Sequence, residues 1–437
     1  MRTSLPDDLL TSSLGKLGGI EHSNNLTGQP LHTVYGGANL FSSDTPAKLA
    51  RLTRGAFETY LPDTGAVTSV FGISTRLAEE VHRKISERLR KDAIDDLRAD
   101  FEDGYGSRPD AEEDGHAVAA ARETAKARSE NALPQYFGIR IKSLAGEARR
   151  RSLRTLDLYL TALVDAGSML PSNFVVTLPK VTHPSQPQVL AATLDALEDR
   201  LGFEKGSIKI ELMVETRRSL VADDGRFALP ELVDACGGRC RGLHFGAWDY
   251  LAEFGVTAEQ QHLLHPLCDT ARQIMQLSAP AGIWISDGAT NIMPIGPHRA
   301  GELTDEQIEE NRRVIHDAWR LHFRHCRAAL ESGIYQGWDL HPAQIPARLA
   351  SVYSFFLENI GETAERLRRF VDKAAQATLA GDVFDDEATG QGMLNHFVRA
   401  VNFGALTQAE AEALTGISMQ LLSAGSFAKI ISSGQSN

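Results

Sequence analysis

The chain has 437 residues, 42% of them hydrophobic and 23% charged, with 45 Lys and Arg against 57 Asp and Glu for a formal charge of −12. That composition is ordinary for a soluble globular protein and excludes collagen-like or wholly disordered classes. The acidic balance argues against a nucleic-acid partner, whose phosphates need a concentrated basic surface. Small anionic substrates stay open, because a local site can be positive on an acidic protein.

Residues 1–30, rich in Ser, Gly and Asn, read as a tail. Asp7 and Asp8 stand where a signal peptide needs an unbroken apolar run, and no stretch approaches the roughly 18 apolar residues of a membrane span, so a cytoplasmic protein with no membrane partner is expected. Short apolar or β-branched runs then follow at 31–37, 94–103, 136–143, 173–181, 208–216, 241–249, 282–288 and 337–342. Charged segments with helical periodicity, such as 111–130 and 303–333, separate them. Strands alternating with helices, eight in number, predict an α/β fold, a (β/α)8 barrel, over residues 31–345. An open doubly wound sheet is the second choice, because no GxGxxG opens a helix after the first strand. Residues 346–437 are expected to form a helical extension or lid, broken by the Gly- and Asp-rich stretch 379–392.

Cys236, Cys240, Cys268 and Cys326 are too few for a disulfide framework and lack the CxxC spacing of a structural zinc site. The i, i+3 pairs His262 with His265 and His322 with His325 have no third ligand nearby in sequence and read as core or solvated histidines.

Barrel active sites gather at the C-terminal ends of the strands. The polar residues at those ends are Glu102 and Asp103 on the second strand, Arg140 on the third, Lys180 on the fourth and Glu215 on the fifth. Asp249, Asp287 and His341 follow on the sixth, seventh and eighth. Any one alone reads as a charge leaving the core, so the argument rests on the set. Glu215 and Asp249, on adjacent strands, bring two carboxylates to one cation while leaving positions for water and substrate, which suits Mg²⁺ or Mn²⁺. Arg140 across the mouth offers a planar guanidinium to a carboxylate or to an oxygen gaining negative charge. A metal and a cationic donor together neutralise an enolate, the charge carried when a carbon–carbon bond beside a carbonyl is made or broken.

The motifs HTVYGGANLFSSDTPAKLARL, ADFEDGYGSRP, GIRIK, TLPKV, IELMVETRRSL, LHFGAWDYLAEFG and GWDLHPAQI, in this order, resemble the HpcH/HpaI aldolase and citrate lyase β-subunit superfamily, which also holds malyl-CoA lyases and malate synthases. The likeness runs over roughly residues 32–345. It implies that Glu215 and Asp249 hold a divalent metal, that Arg140 contacts the reacting oxygen of the substrate, and that Glu102 and Asp103 orient metal-bound water. Lys180 and His341 match family positions and, with Asp287, are the remaining candidate substrate contacts. The later FDDEATGQGM is similar to the malate synthase stretch carrying the general base, which points to Asp386, with Asp385 beside it. There are departures: Arg217 replaces the Pro that often follows Glu-Thr in the citrate lyase branch, no His stands where the pyruvate aldolase branch keeps its base, and Trp248 narrows the pocket beside Asp249.

The expected protein is a Mg²⁺-dependent carbon–carbon lyase or aldolase that forms or cleaves a short 2-hydroxy or 2-oxo acid, free or as its coenzyme A thioester, and works as a homo-oligomer. One alternative is another reaction of the phosphoenolpyruvate/pyruvate-type barrels, such as phosphoryl transfer or hydrolysis. The other is a non-catalytic 2-oxo acid binding protein.

Overall fold

The structure, a computed structural model, describes residues 28–299, 301–373, 378–380, 383–385, 387–424 and 430. Eight parallel strands close a barrel in sequence order. They are β1 (His32–Gly37), β2 (Asp96–Asp100), β3 (Tyr136–Arg140), β4 (Phe174–Leu178), β5 (Lys209–Val214), β6 (Cys240–Phe245), β7 (Trp284–Ala289) and β8 (Gln336–Asp339). The ring closes where β8 pairs with β1, His32 lying opposite Gly337. Each expected run overlaps one strand, to within a residue at the ends of β6, β7 and β8, and the closed ring excludes the open sheet. Strands such as FVVTL in β4 are buried throughout, because a parallel strand is covered by helices on one face and by the barrel interior on the other.

The helices carry the 3.6-residue period that this cover requires. Thr75–Lys91, for example, buries Ala78, Val81, Ile85 and Leu89 on one stripe and keeps its charges outside except for Lys84, which is buried and meets Glu410 Oε2 at 3.2 Å. The barrel interior, by contrast, holds charge. Arg98 on β2 pairs with Asp96 and donates to Glu211 Oε2 at 2.7 Å, and His244 Nε2 lies 3.2 Å from the same oxygen. Buried charge is tolerated where it is paired in this way.

The boundary expected at residue 345 falls in front of the helix that completes the barrel. Ile345–Leu357 follows β8, is buried along almost its whole length and packs on the helices Asp305–Glu331 and Thr75–Lys91. Beyond it come the helices Ile360–Asp372, Glu387–Asn402, Gln408–Thr415 and Met419–Ala424, and an antiparallel pair of short strands, Thr378–Ala380 and Val383–Asp385. No helix among the described residues is long and apolar enough to cross a membrane.

Candidate active site

Period-two alternation along β2 puts Asp96, Arg98 and Asp100 on one face, and parallel register sets Asp100 opposite Arg140 on β3. The two form a forked ion pair: Arg140 Nε donates to Asp100 Oδ1 at 2.7 Å and Nη2 to Oδ2 at 2.5 Å. Burial works against the guanidinium charge, but the Asp100 bonds hold the Arg140 pKa above its ordinary value. Nη1, 3.2 Å from Glu102 Oε2, is buried with no aligned hydrogen-bond acceptor. The rings of Tyr35 and Trp338 lie 4.9 and 5.4 Å from the guanidinium carbon, so its plane is held on several sides. Asp100 also accepts from the amides of Glu102 and Gly104, at 2.9 and 2.7 Å. A Cβ at Gly104 would lie 2.6 Å from Asp100 Oδ2, so this turn needs glycine.

Lys180 turns through φ 52° just beyond β4, which aims its amide at Glu215 Oε1, 2.6 Å away. Its ammonium group pairs with Glu102, lies 3.0 Å from Asp103 Oδ1 and reaches within 3.9 Å of Asp249 Oδ1. Glu215 is 2% exposed. Burial first, and the Asp249 charge second, push its carboxyl up to about 8. Burial raises Asp249 and Glu102 as well, whereas the Glu102 contact and Arg140 more than offset burial at Asp103 and lower it.

These groups meet at a cavity of about 370 Å³ over the C-terminal mouth, lined on its charged side by Asp100, Asp103, Arg140, Glu215 and Asp249. Larger clefts of about 1060 and 960 Å³ lie between outer helices, and none of the strand-end candidates lines them. The donor set in the smaller cavity fits a hard divalent cation: two carboxylates, one of them buried without a cation and therefore prone to keep its proton. Among the described residues no three His, Cys, Asp or Glu side chains form a ready metal cage. The pair would leave the other positions to water and substrate.

The structure does not bring every candidate here. Asp287 turns to the helix Pro266–Ser278, where Arg272 Nη1 lies 3.1 and 3.2 Å from its two oxygens, so it holds that helix on β7. His341 caps the short turn Pro342–Gln344, accepting from the Ala343 amide at 3.1 Å. Asp386 lies outside the described residues, and Asp385 is described only as the end of a short strand. His322 and His325 share Thr290 Oγ1 in the core, at 2.8 and 2.9 Å. Asp100, Tyr35 and Trp338 were not among the sequence candidates. Alternation from Arg98 was the signal for Asp100; the aromatic pair is brought together by ring closure, which no local pattern announces.

A citrate lyase from Burkholderia xenovorans has the same fold, with a TM-score of 0.56 at 18% identity over 91% of this chain and 99% of that one. A protein CitE from Mycobacterium tuberculosis, solved with magnesium, acetoacetate and coenzyme A, aligns at 15% identity over 86% of this chain and 98% of its own, with a TM-score of 0.46. In sequence, the glyoxysomal malate synthase of Cucurbita maxima is 22% identical over 194 residues, which is 44% of this chain. The match spans 32% of that enzyme's length. The likeness to the Burkholderia xenovorans citrate lyase holds at the level of the fold. Over residues 23–430 the chain matches the family described as a domain of unknown function, DUF6986, and it belongs to that family.

Proposed function

We propose that this chain is a Mg²⁺-dependent carbon–carbon lyase or aldolase acting on a short 2-hydroxy or 2-oxo acid. The observation that carries the reading is the placement of Arg140 beside Glu215 and Asp249 in one cavity. Glu215 and Asp249 would hold the metal, which when bound supplies a Lewis acid for the 2-oxo group and charge neutralisation for an enolate.

The remaining work falls to the chain. Asp100 takes the Nε–Nη2 edge of the Arg140 guanidinium and leaves Nη1 as the donor for the substrate oxygen that gains negative charge. Lys180 screens Glu102 and Asp103 from Asp249 and fixes both acids as acceptors for ordered water. Asp386 is kept as the proposed proton acceptor, on the motif likeness alone.

The test is turnover of purified protein, with and without Mg²⁺, on a panel of 2-hydroxy acids and 2-oxo acid pairs, free and as thioesters. Metal-dependent release or formation of a 2-oxo acid supports the reading. Binding without turnover across the whole panel would favour the non-catalytic alternative.

A further inference from the structure

The cavity is two-sided. Its charged groups come from β2 and the turn after it, β3, the end of β5 and the helix Ala247–Glu253 after β6, while the facing side is built by Tyr35 on β1, Trp338 and Leu340 at β8, Ala289 on β7, and Trp248. That second side is fixed. The Trp248 indole donates to the Ala289 carbonyl at 3.2 Å, and the Tyr35 and Trp338 rings pack with centroids 4.4 Å apart. A wall of locked aromatic rings is not needed to hold a small acid. At the liquid-water share of about 30 Å³ per non-hydrogen atom, the six such atoms of a three-carbon 2-oxo acid fill about half of the 370 Å³.

Resting on the function proposed above, we infer that the substrate carries an apolar substituent, a branched aliphatic or aryl group next to the 2-oxo carbon unit, which packs on the Trp248, Trp338 and Leu340 wall. The acid head would face Arg140 and the carboxylate pair. Trp338 and Tyr35 also flank the guanidinium, so the substituent would lie beside the reacting oxygen and help exclude water from it. A second carboxylate in that place would be desolvated against the rings, and the cation beside them, Arg140, is already paired with Asp100 and close to Glu102.

Calorimetry on the wild-type full chain in saturating Mg²⁺ tests this with four probes: pyruvate, oxaloacetate, 2-oxo-4-methylpentanoate and phenylpyruvate. Three further buried carbons give the branched acid an expected preference over pyruvate of about 10-fold or more, with oxaloacetate the weakest of the set. Trp248→Ala should cut the preference to less than about threefold. Pyruvate or oxaloacetate binding as tightly as the branched and aryl acids would overturn the inference and leave the lyase reading intact, as would an undiminished preference in Trp248→Ala. If none of the four binds in Mg²⁺, the lyase reading itself falls.

Discussion

Gly246 and Glu215 are so close that a Cβ at position 246 would stand 2.4 Å from Glu215 Oε2 and 2.5 Å from its Cβ. The backbone at Gly246, with φ −96° and ψ 79°, does not itself demand glycine. The requirement comes from the carboxylate, which β5 delivers into the space that β6 leaves open.

Gly246→Ala should therefore displace Glu215. Mg²⁺ affinity is expected to fall about tenfold or more, with a stability loss of about 1–3 kcal/mol from overpacking. Calorimetry and denaturant unfolding read the two effects separately. Unchanged Mg²⁺ affinity in a folded Gly246→Ala protein would dissociate the glycine from the metal pair.

Asp100→Asn keeps one acceptor for Arg140 and loses the charge and the fork. Turnover should drop by about 10²-fold, because the oxyanion donor is no longer held in place, while Mg²⁺ affinity stays near that of the wild type. The buried guanidinium keeps Glu102 at 3.2 Å, so the folding cost should stay below the roughly 3–5 kcal/mol of a fully broken buried pair. Full turnover in Asp100→Asn would reduce the pair to a structural one.

Asp287→Asn should show the opposite pattern. Its carboxylate and Arg272 are both buried and meet at 3.1 Å, so stability is expected to fall by about 3 kcal/mol with kcat/KM nearly unchanged. A large loss of kcat/KM at normal stability would return Asp287 to the substrate.

The core predicts a pH effect at His322, whose Nε2 lies 2.9 Å from Asp339 Oδ1. Burial lowers its proton affinity, but Cys326 and Asp339 outweigh burial and bring its pKa to about 9, against an ordinary 6.5. A folded-state pKa above the unfolded one stabilises fully below the unfolded value, and that stabilisation is lost as pH rises through the folded value. Between about pH 7 and 8.5 the wild type should lose about 1.4 kcal/mol per pH unit relative to His322→Asn. Parallel pH profiles for the two proteins would contradict this.

Strands such as FVVTL in β4 and KIELMV in β5 were legible because they are short apolar runs buried at almost every residue, a pattern that survives without knowledge of its neighbours, whereas DLRAD in β2 and QGWD in β8 have no β-branched residue and were read from their place in the alternation. Which strand-end residues reach the cavity was harder, since the answer turns on a one-residue parity. Asp287 follows Ser286, which lies in register with the inward His244, and so it faces the helices. Asp100 sits two residues beyond Arg98 and faces inward with it, before the Glu102 and Asp103 that ended the visible motif. Glu215 was readable because it follows directly on β5, whereas Asp249 stands not at a strand end but in the first turn of the helix Ala247–Glu253, four residues past β6, and was legible through its motif. The aromatic wall joins β8 to β1 across about 300 residues of sequence and is a product of closure alone.

The central claim is that Glu215 and Asp249 jointly hold a divalent cation, and a calorimetric Mg²⁺ titration of the wild type beside Glu215→Gln and Asp249→Asn tests it most directly. Each substitution keeps an oxygen and removes a charge. The account predicts one binding event in the wild type, weakened by about 10²-fold or more in either variant. Equal Mg²⁺ affinity in all three proteins, each folded, would contradict it.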